Sequence, residues 1–124
     1  MTSCLGDTGE ATLVVGPRDF VKALAIAPGD DFPEVLATSR MIALMELAAA
    51  RTMQGILACG QLSVGVGVEV EHLAATPVGV EVKAVATFLG MEGKRYRFKV
   101  RAFDLGGLVG QGEHTRARDR KSVV

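Results

Sequence analysis

After Gly60 the chain leaves helical spacing and does not return to it. Before that point Met41, Leu44, Met45, Ala48, Thr52 and Ile56 repeat at helical intervals and form one apolar stripe. Beyond it, Val64, Val66, Val68 and Val70 alternate with Gly65, Gly67, Glu69 and Glu71, which is the period of a strand. Val80, Val82, Ala84, Ala86 and Phe88 make a second apolar face. Tyr96, Phe98, Val100 and Ala102 make a third, alternating with Arg95, Arg97, Lys99 and Arg101, and Leu108–Arg116 reads as the last strand. Turns at Pro77–Gly79, Gly90–Gly93 and Asp104–Gly107 separate these runs, and connections that short favour antiparallel neighbours. Upstream, Ala11–Val15 reads as a strand stopped by Gly16-Pro17, and Phe20–Ala27 has a partly helical spacing. Phe32-Pro33-Glu34 opens the helical region with its proline in the first turn, Thr38 or Ser39 could cap a second start, and Cys59-Gly60 closes it. A strand, an apolar helix and four meandering strands predict an α+β domain spanning residues 1–124. Its economical packing is a curved antiparallel sheet wrapped around the helix. Residues 116–124, basic and polar, are expected to fray.

One residue disturbs this pattern. Glu46 is the only charge between Met41 and Ala50. Arg40, Arg51 and Gln54 share one side of the helical wheel, the expected solvent side. Glu46 falls roughly a third of a turn away from them, among Ile42, Ala50, Met53 and Leu57. A carboxylate there is at least partly desolvated, which is unfavourable without partners. Desolvation also makes it more basic, which suits acid–base or nucleophilic work. The bland alternative is a glutamate at the edge of the polar face.

Composition narrows the function classes. The 124 residues carry 14 basic and 14 acidic side chains, and this balance argues against non-specific nucleic-acid binding as the main role. No apolar run approaches the roughly 18 residues of a membrane helix, and the N-terminus lacks the pattern of a signal peptide, so a cytoplasmic protein is expected. Cys4 and Cys59 match no metal or redox spacing and read as free thiols. Apolar residues reach 48% with a mean hydropathy of +0.28, a surplus that hints at an oligomer. Metalloprotease, kinase and serine-hydrolase motifs are missing.

Each further polar candidate has two readings. Thr38 caps the helix, or its hydroxyl orients a carboxylate or attacks a carbonyl. His72, two residues past the inward-reading Val70, is a hydrogen-bonded core histidine or a proton carrier near neutral pH. Gly65 and Gly67 inside a strand mark a close approach by a ligand or another backbone. Arg116, beside His114, solvates a strand end or holds an anionic group. The Arg95, Arg97, Lys99, Arg101 row reads as a wet strand face that could also attract coenzyme phosphates.

Three segments, in order, carry a resemblance: Phe32-Pro-Glu-Val-Leu-Ala-Thr38 through Glu46, Val70-Glu-His72 through Gly79, and Gly110-Gln-Gly-Glu-His114-Thr-Arg116. Together they resemble the fluoroacetyl-CoA thioesterases, acyl-CoA thioesterases of the hot-dog fold, over nearly the whole chain. The resemblance implies a catalytic set of Thr38, Glu46 and His72. It implies contact with the thioester and coenzyme at Gly65, contact with substrate at Arg116, and a gate over the acyl pocket at Phe32. It further implies a homodimer with active sites at or near the subunit interface, acyl-CoA as the small-molecule partner, and no metal or cofactor beyond the coenzyme A of the substrate. In one member of that family the gate pairs its phenylalanine with a second aromatic three residues earlier, where this chain has Gly29. This departure implies a broader or different short acyl group.

The expected function is therefore hydrolysis of a small acyl-CoA to the acid and free CoA. Glu46 would be the nucleophile or the base, Thr38 would orient it or attack in its place, and His72 would carry the proton toward the leaving thiolate. The alternative is a non-catalytic hot-dog module that binds acyl-CoA or a small carboxylic ligand. Hydratases of this fold, by resemblance, place an Asp five residues before the His. Here that position is Gly67.

Overall fold

A computed structural model describes residues 5–120. Strand β1 (Thr8–Val14) leads through two short 3-10 turns, Pro17–Asp19 and Val21–Leu24, to the one α-helix among the described residues, α1 (Thr38–Met53). Strands β2 (Gln61–His72), β3 (Glu81–Glu92), β4 (Arg95–Asp104) and β5 (Gly107–Arg120) follow. All pairings are antiparallel, in the order β1-β3-β4-β5-β2, so β1 and β2 are the two edges. This is the expected α+β arrangement of one helix on an antiparallel sheet, but the strands after the helix are not the expected meander: β2 pairs with β5 at the far edge, so the turn at Pro77–Gly79 does not join neighbouring strands.

The predicted inward faces of β3 and β4 are the core. Val82, Ala84, Ala86, Phe88, Tyr96, Phe98, Val100 and Ala102 are buried against Met41, Leu44, Met45, Ala48, Ala49 and Met53 of α1. Small residues line the floor under the helix, and this lets the helix approach closely. A Cβ on Gly9 of β1 would strike Thr52 Oγ1. The helix lies mainly over β1 and β3 and touches β2 much less.

Four more expectations need correction. The helix starts at Thr38 rather than at Phe32-Pro33-Glu34, because Leu36 and Val35 instead make extended bridges to Phe20 and Pro77. It ends at Met53 rather than at Cys59-Gly60, where Ile56 and Leu57 both turn back to the Met53 carbonyl. The last strand does not fray at Arg116. It runs on to Arg120, because residues 117–120 pair with residues 61–64 of β2. Residues 121–124, like Cys4, lie outside the described residues.

The fourth correction concerns the valines of β2. A β-bulge between Gly65 and Gly67 shifts the register. Directly paired residues share a face. Gly65 pairs with the inward Arg116 and Val68 with the inward His114, so Gly65 lies on the inner face before the bulge, and Val68, Val70 and His72 lie on it afterwards. Val64 therefore points outward, and the four valines do not form one apolar face.

Candidate active site

Thr38 is the first residue of α1, and the helix cap is Ala37, so the capping role falls elsewhere. The Thr38 hydroxyl meets His72 instead, with Oγ1 2.8 Å from Nδ1. His72 comes from the end of β2, on the inner face that its parity with Val70 predicts. Its Nε2 is buried without a partner among the described residues. Both side chains line an open cavity of about 320 Å³ with Val21, Val35 and Leu36. The start of the helix is pinned by Asp19, a residue the periodicity does not single out. Its carbonyl accepts from the Ala37 N–H at 2.7 Å, and its carboxylate accepts from Arg40 Nε at 2.6 Å and from the Gly16 N–H at 2.9 Å. Burial alone would raise the Asp19 carboxyl. The Arg40 and Gly16 bonds outweigh it and hold the group below its ordinary value.

Glu46 stands eight residues further along α1, about 12 Å at 1.5 Å per residue. It is half-buried and faces β2 and β5. The reason glycine occupies position 65 is now visible. A Cβ there would collide with Glu46 Oε1, and would lie 3.1 Å from His114 Cε1 and 3.6 Å from Arg116 Nη1. Glu46, Gly65 and Arg116 thus come together, with His114 as a fourth member. Thr38 and His72 form a separate pair. Gly65 and His72 are seven residues apart on one strand, roughly 20 Å, so a single chain does not bring all three of Thr38, Glu46 and His72 to one point. Phe32 lies on the loop before the helix, 39% exposed.

His114 and Arg116 are among the few buried polar side chains, 2% and 7% exposed. Arg116 donates from Nε to Ser63 Oγ and from Nη2 to the Ser63 carbonyl, both at 3.0 Å, and its Nη1 lies 3.1 Å from His114 Nε2. His114 Nδ1 lies 2.7 Å from the Gly67 carbonyl beside the bulge. Burial pushes the His114 imidazole below its ordinary value, opposed by the Gly67 bond and assisted by the Arg116 charge. Burial also lowers Arg116, opposed by the negative charge of Glu46. Sequence reading noticed His114 only as a neighbour of Arg116, and it missed Ser63. The signal available was the shared parity of His114 and Arg116 on one strand. Of the basic row on β4, Arg97 is paired with Glu113 and Glu92, as a wet face should be.

Comparisons with known proteins identify the family. The model of the family "FlK: Fluoroacetyl-CoA-specific thioesterase" matches residues 15–118. A fluoroacetyl-CoA thioesterase of Streptantibioticus cattleyicolor is 42% identical over 87 residues, which span 70% of this chain but only 63% of that protein. A solved structure of a substituted form of the fluoroacetyl-CoA-specific thioesterase FlK, in complex with fluoroacetate and CoA, is 36% identical with a TM-score of 0.87, covering 94% of this chain and 95% of that one. A hypothetical protein of Thermus thermophilus, a thioesterase superfamily member, is 29% identical with a TM-score of 0.86, covering 95% and 85%. The fold is the hot-dog fold, and the chain belongs to the family of the fluoroacetyl-CoA-specific thioesterases.

Proposed function

We propose that this protein is an acyl-CoA thioesterase that hydrolyses a small acyl-CoA to the acid and free CoA. The observation that carries the reading is the carboxylate of Glu46. It is half-buried, occupies space that only a glycine at position 65 leaves open, and makes no hydrogen bond or ion pair among the described residues. In this reading Glu46 takes a proton from water as the water oxygen bonds to the thioester carbon, or its own oxygen forms that bond. In the first route the C–S bond then breaks, and the proton held by Glu46 neutralises the departing thiolate. In the second, the C–S bond breaks as a mixed anhydride forms on Glu46; water then cleaves the anhydride, which frees the acid, regenerates Glu46 and supplies the proton the thiolate takes up. With the Thr38 hydroxyl donating to His72 Nδ1, the imidazole keeps its N–H on Nε2 and offers it toward the sulfur as charge develops there.

A homodimer belongs to this reading. β2 is an open sheet edge of 12 residues with Leu62, Val64, Val66 and Val68 exposed, a surface proteins ordinarily cover. A second copy added antiparallel across that edge exchanges strand ends. The Thr38–His72 pair of one protomer then approaches the Glu46–Gly65 cluster of its partner. For the acyl group, Gly29 has a φ of +100° in a turn fastened by Asp30, whose carboxylate accepts from the Ile26 and Ala27 N–H groups at 2.9 Å. That backbone conformation disfavours an aromatic side chain, which supports an acyl preference other than fluoroacetyl.

The test is thiol release across a panel of short acyl-CoAs. Turnover is expected in the wild type and a loss of about 10³-fold in Glu46→Gln with binding retained. Tight acyl-CoA binding by the wild type with no thiol release would instead make it a binding module.

A further inference from the structure

His114 is buried at the proposed reacting carboxylate, yet the chemistry above does not use it. Its neighbours dictate its state. The Gly67 carbonyl can only accept, so Nδ1 carries the hydrogen. The Arg116 guanidinium can only donate, so Nε2 is the acceptor. A proton on Nε2 would set N–H against N–H, so His114 is a fixed neutral ring and not a proton carrier.

The consequence lies in Arg116. A guanidinium beside a carboxylate ordinarily closes into a bidentate ion pair. Arg116 feels the charge of Glu46, yet among the described residues the two form no ion pair, and the guanidinium is spent on Ser63 Oγ, the Ser63 carbonyl and His114 Nε2. We propose that His114 is a positioning residue, which together with Ser63 holds the Arg116 guanidinium beside Glu46 but off it, so that the carboxylate stays free to react. The inference rests on the reading of Glu46 as the reacting group. A direct ion pair would stabilise the charged carboxylate and weaken it as base or nucleophile. The charged and titratable groups acting on Glu46 are His114 and Arg116, both from β5, while β2 presents Gly65.

Two substitutions separate the two bonds of the ring. His114→Asn keeps a donor for the Gly67 carbonyl and removes the acceptor for Arg116. His114→Gln reaches the Nε2 position with an amide oxygen and keeps that acceptor. In His114→Asn, kcat is expected to fall about 10-fold or more, and the acidic limb of its pH profile to move about one unit lower as Arg116 pairs with Glu46. In His114→Gln, kcat should stay within about threefold of wild type with the limb in place. Should the Asn variant fail to fold, Ser63→Ala removes another acceptor and should move the limb the same way by less. Wild-type kcat and limb in His114→Asn, equal losses in Asn and Gln with an unmoved limb, or an unmoved limb in Ser63→Ala would overturn the proposal. Glu46→Gln is measured alongside. If it is inactive while His114→Asn behaves as wild type, the positioning role alone fails. If it turns over normally, the functional reading fails and takes this proposal with it.

Discussion

Thr38 Oγ1 lies 2.8 Å from His72 Nδ1, joining the first turn of the helix to the end of an edge strand 34 residues away. The contact orients the ring whose other nitrogen is buried without a partner among the described residues. Thr38→Ala should lower kcat by about 10- to 100-fold. Thr38 is exposed and its side chain is not the helix cap, so stability should change by no more than about 0.5 kcal/mol. A large drop in melting temperature with unchanged turnover would reverse the assignment.

If the two clusters meet across subunits, lesions in different clusters complement. A mixture of Glu46→Gln and His72→Ala chains contains mixed dimers in which one site carries both lesions and the other carries neither. Refolding the two variants together should recover about a quarter of wild-type turnover. A site contained within one chain would recover none.

Two glycine substitutions should behave oppositely. At Gly65 an added Cβ meets the movable end of Glu46. Gly65→Ala should therefore fold with a melting temperature near wild type but lose about 10-fold or more in kcat as the carboxylate is displaced. At Gly112 the Cβ would collide with the Glu69 carbonyl and lie 2.6 Å from Val70 Cα, both backbone atoms that cannot yield. Gly112→Ala should cost about 2–3 kcal/mol in denaturant unfolding.

Burial holds His114 below its ordinary value of about 6.5. The unfolded chain then binds the proton first as the pH falls, so the stability tied to the neutral ring is complete above about pH 6.5 and is lost below it. Thermal melts between about pH 7.5 and 5.5 should show this decline in wild type and a shallower one in His114→Gln. The lowered carboxyls of Asp19 and Asp30 act at more acidic pH, outside this window.

Phe32 stands at the loop before the helix, where Gly29 leaves its turn without an aromatic. Phe32→Ala should alter the ranking of acyl-CoA substrates more than the turnover of the best short one. A uniform fall across the panel would exclude a gating role.

Local pattern determined much of this protein by itself. The alternation in β3 and β4 and the stripe on α1 marked the core, because burial on one face imposes a period of two on a strand and about 3.6 on a helix. Glu46 betrayed itself as a charge in an apolar run, and Gly65 as a glycine inside a strand. Only the tertiary structure decided the rest. The bulge at Gly65–Gly67 reverses the face of Val64 relative to Val68, and composition does not report an extra residue in a register. The pairing of Thr38 with His72, the bracing of Arg116 by Ser63 and His114, and the distance of both groups from each other arise from side chains far apart in sequence. Sequence periodicity records which face of an element is buried. It does not record what lies opposite that face, and here the opposing groups set the chemistry.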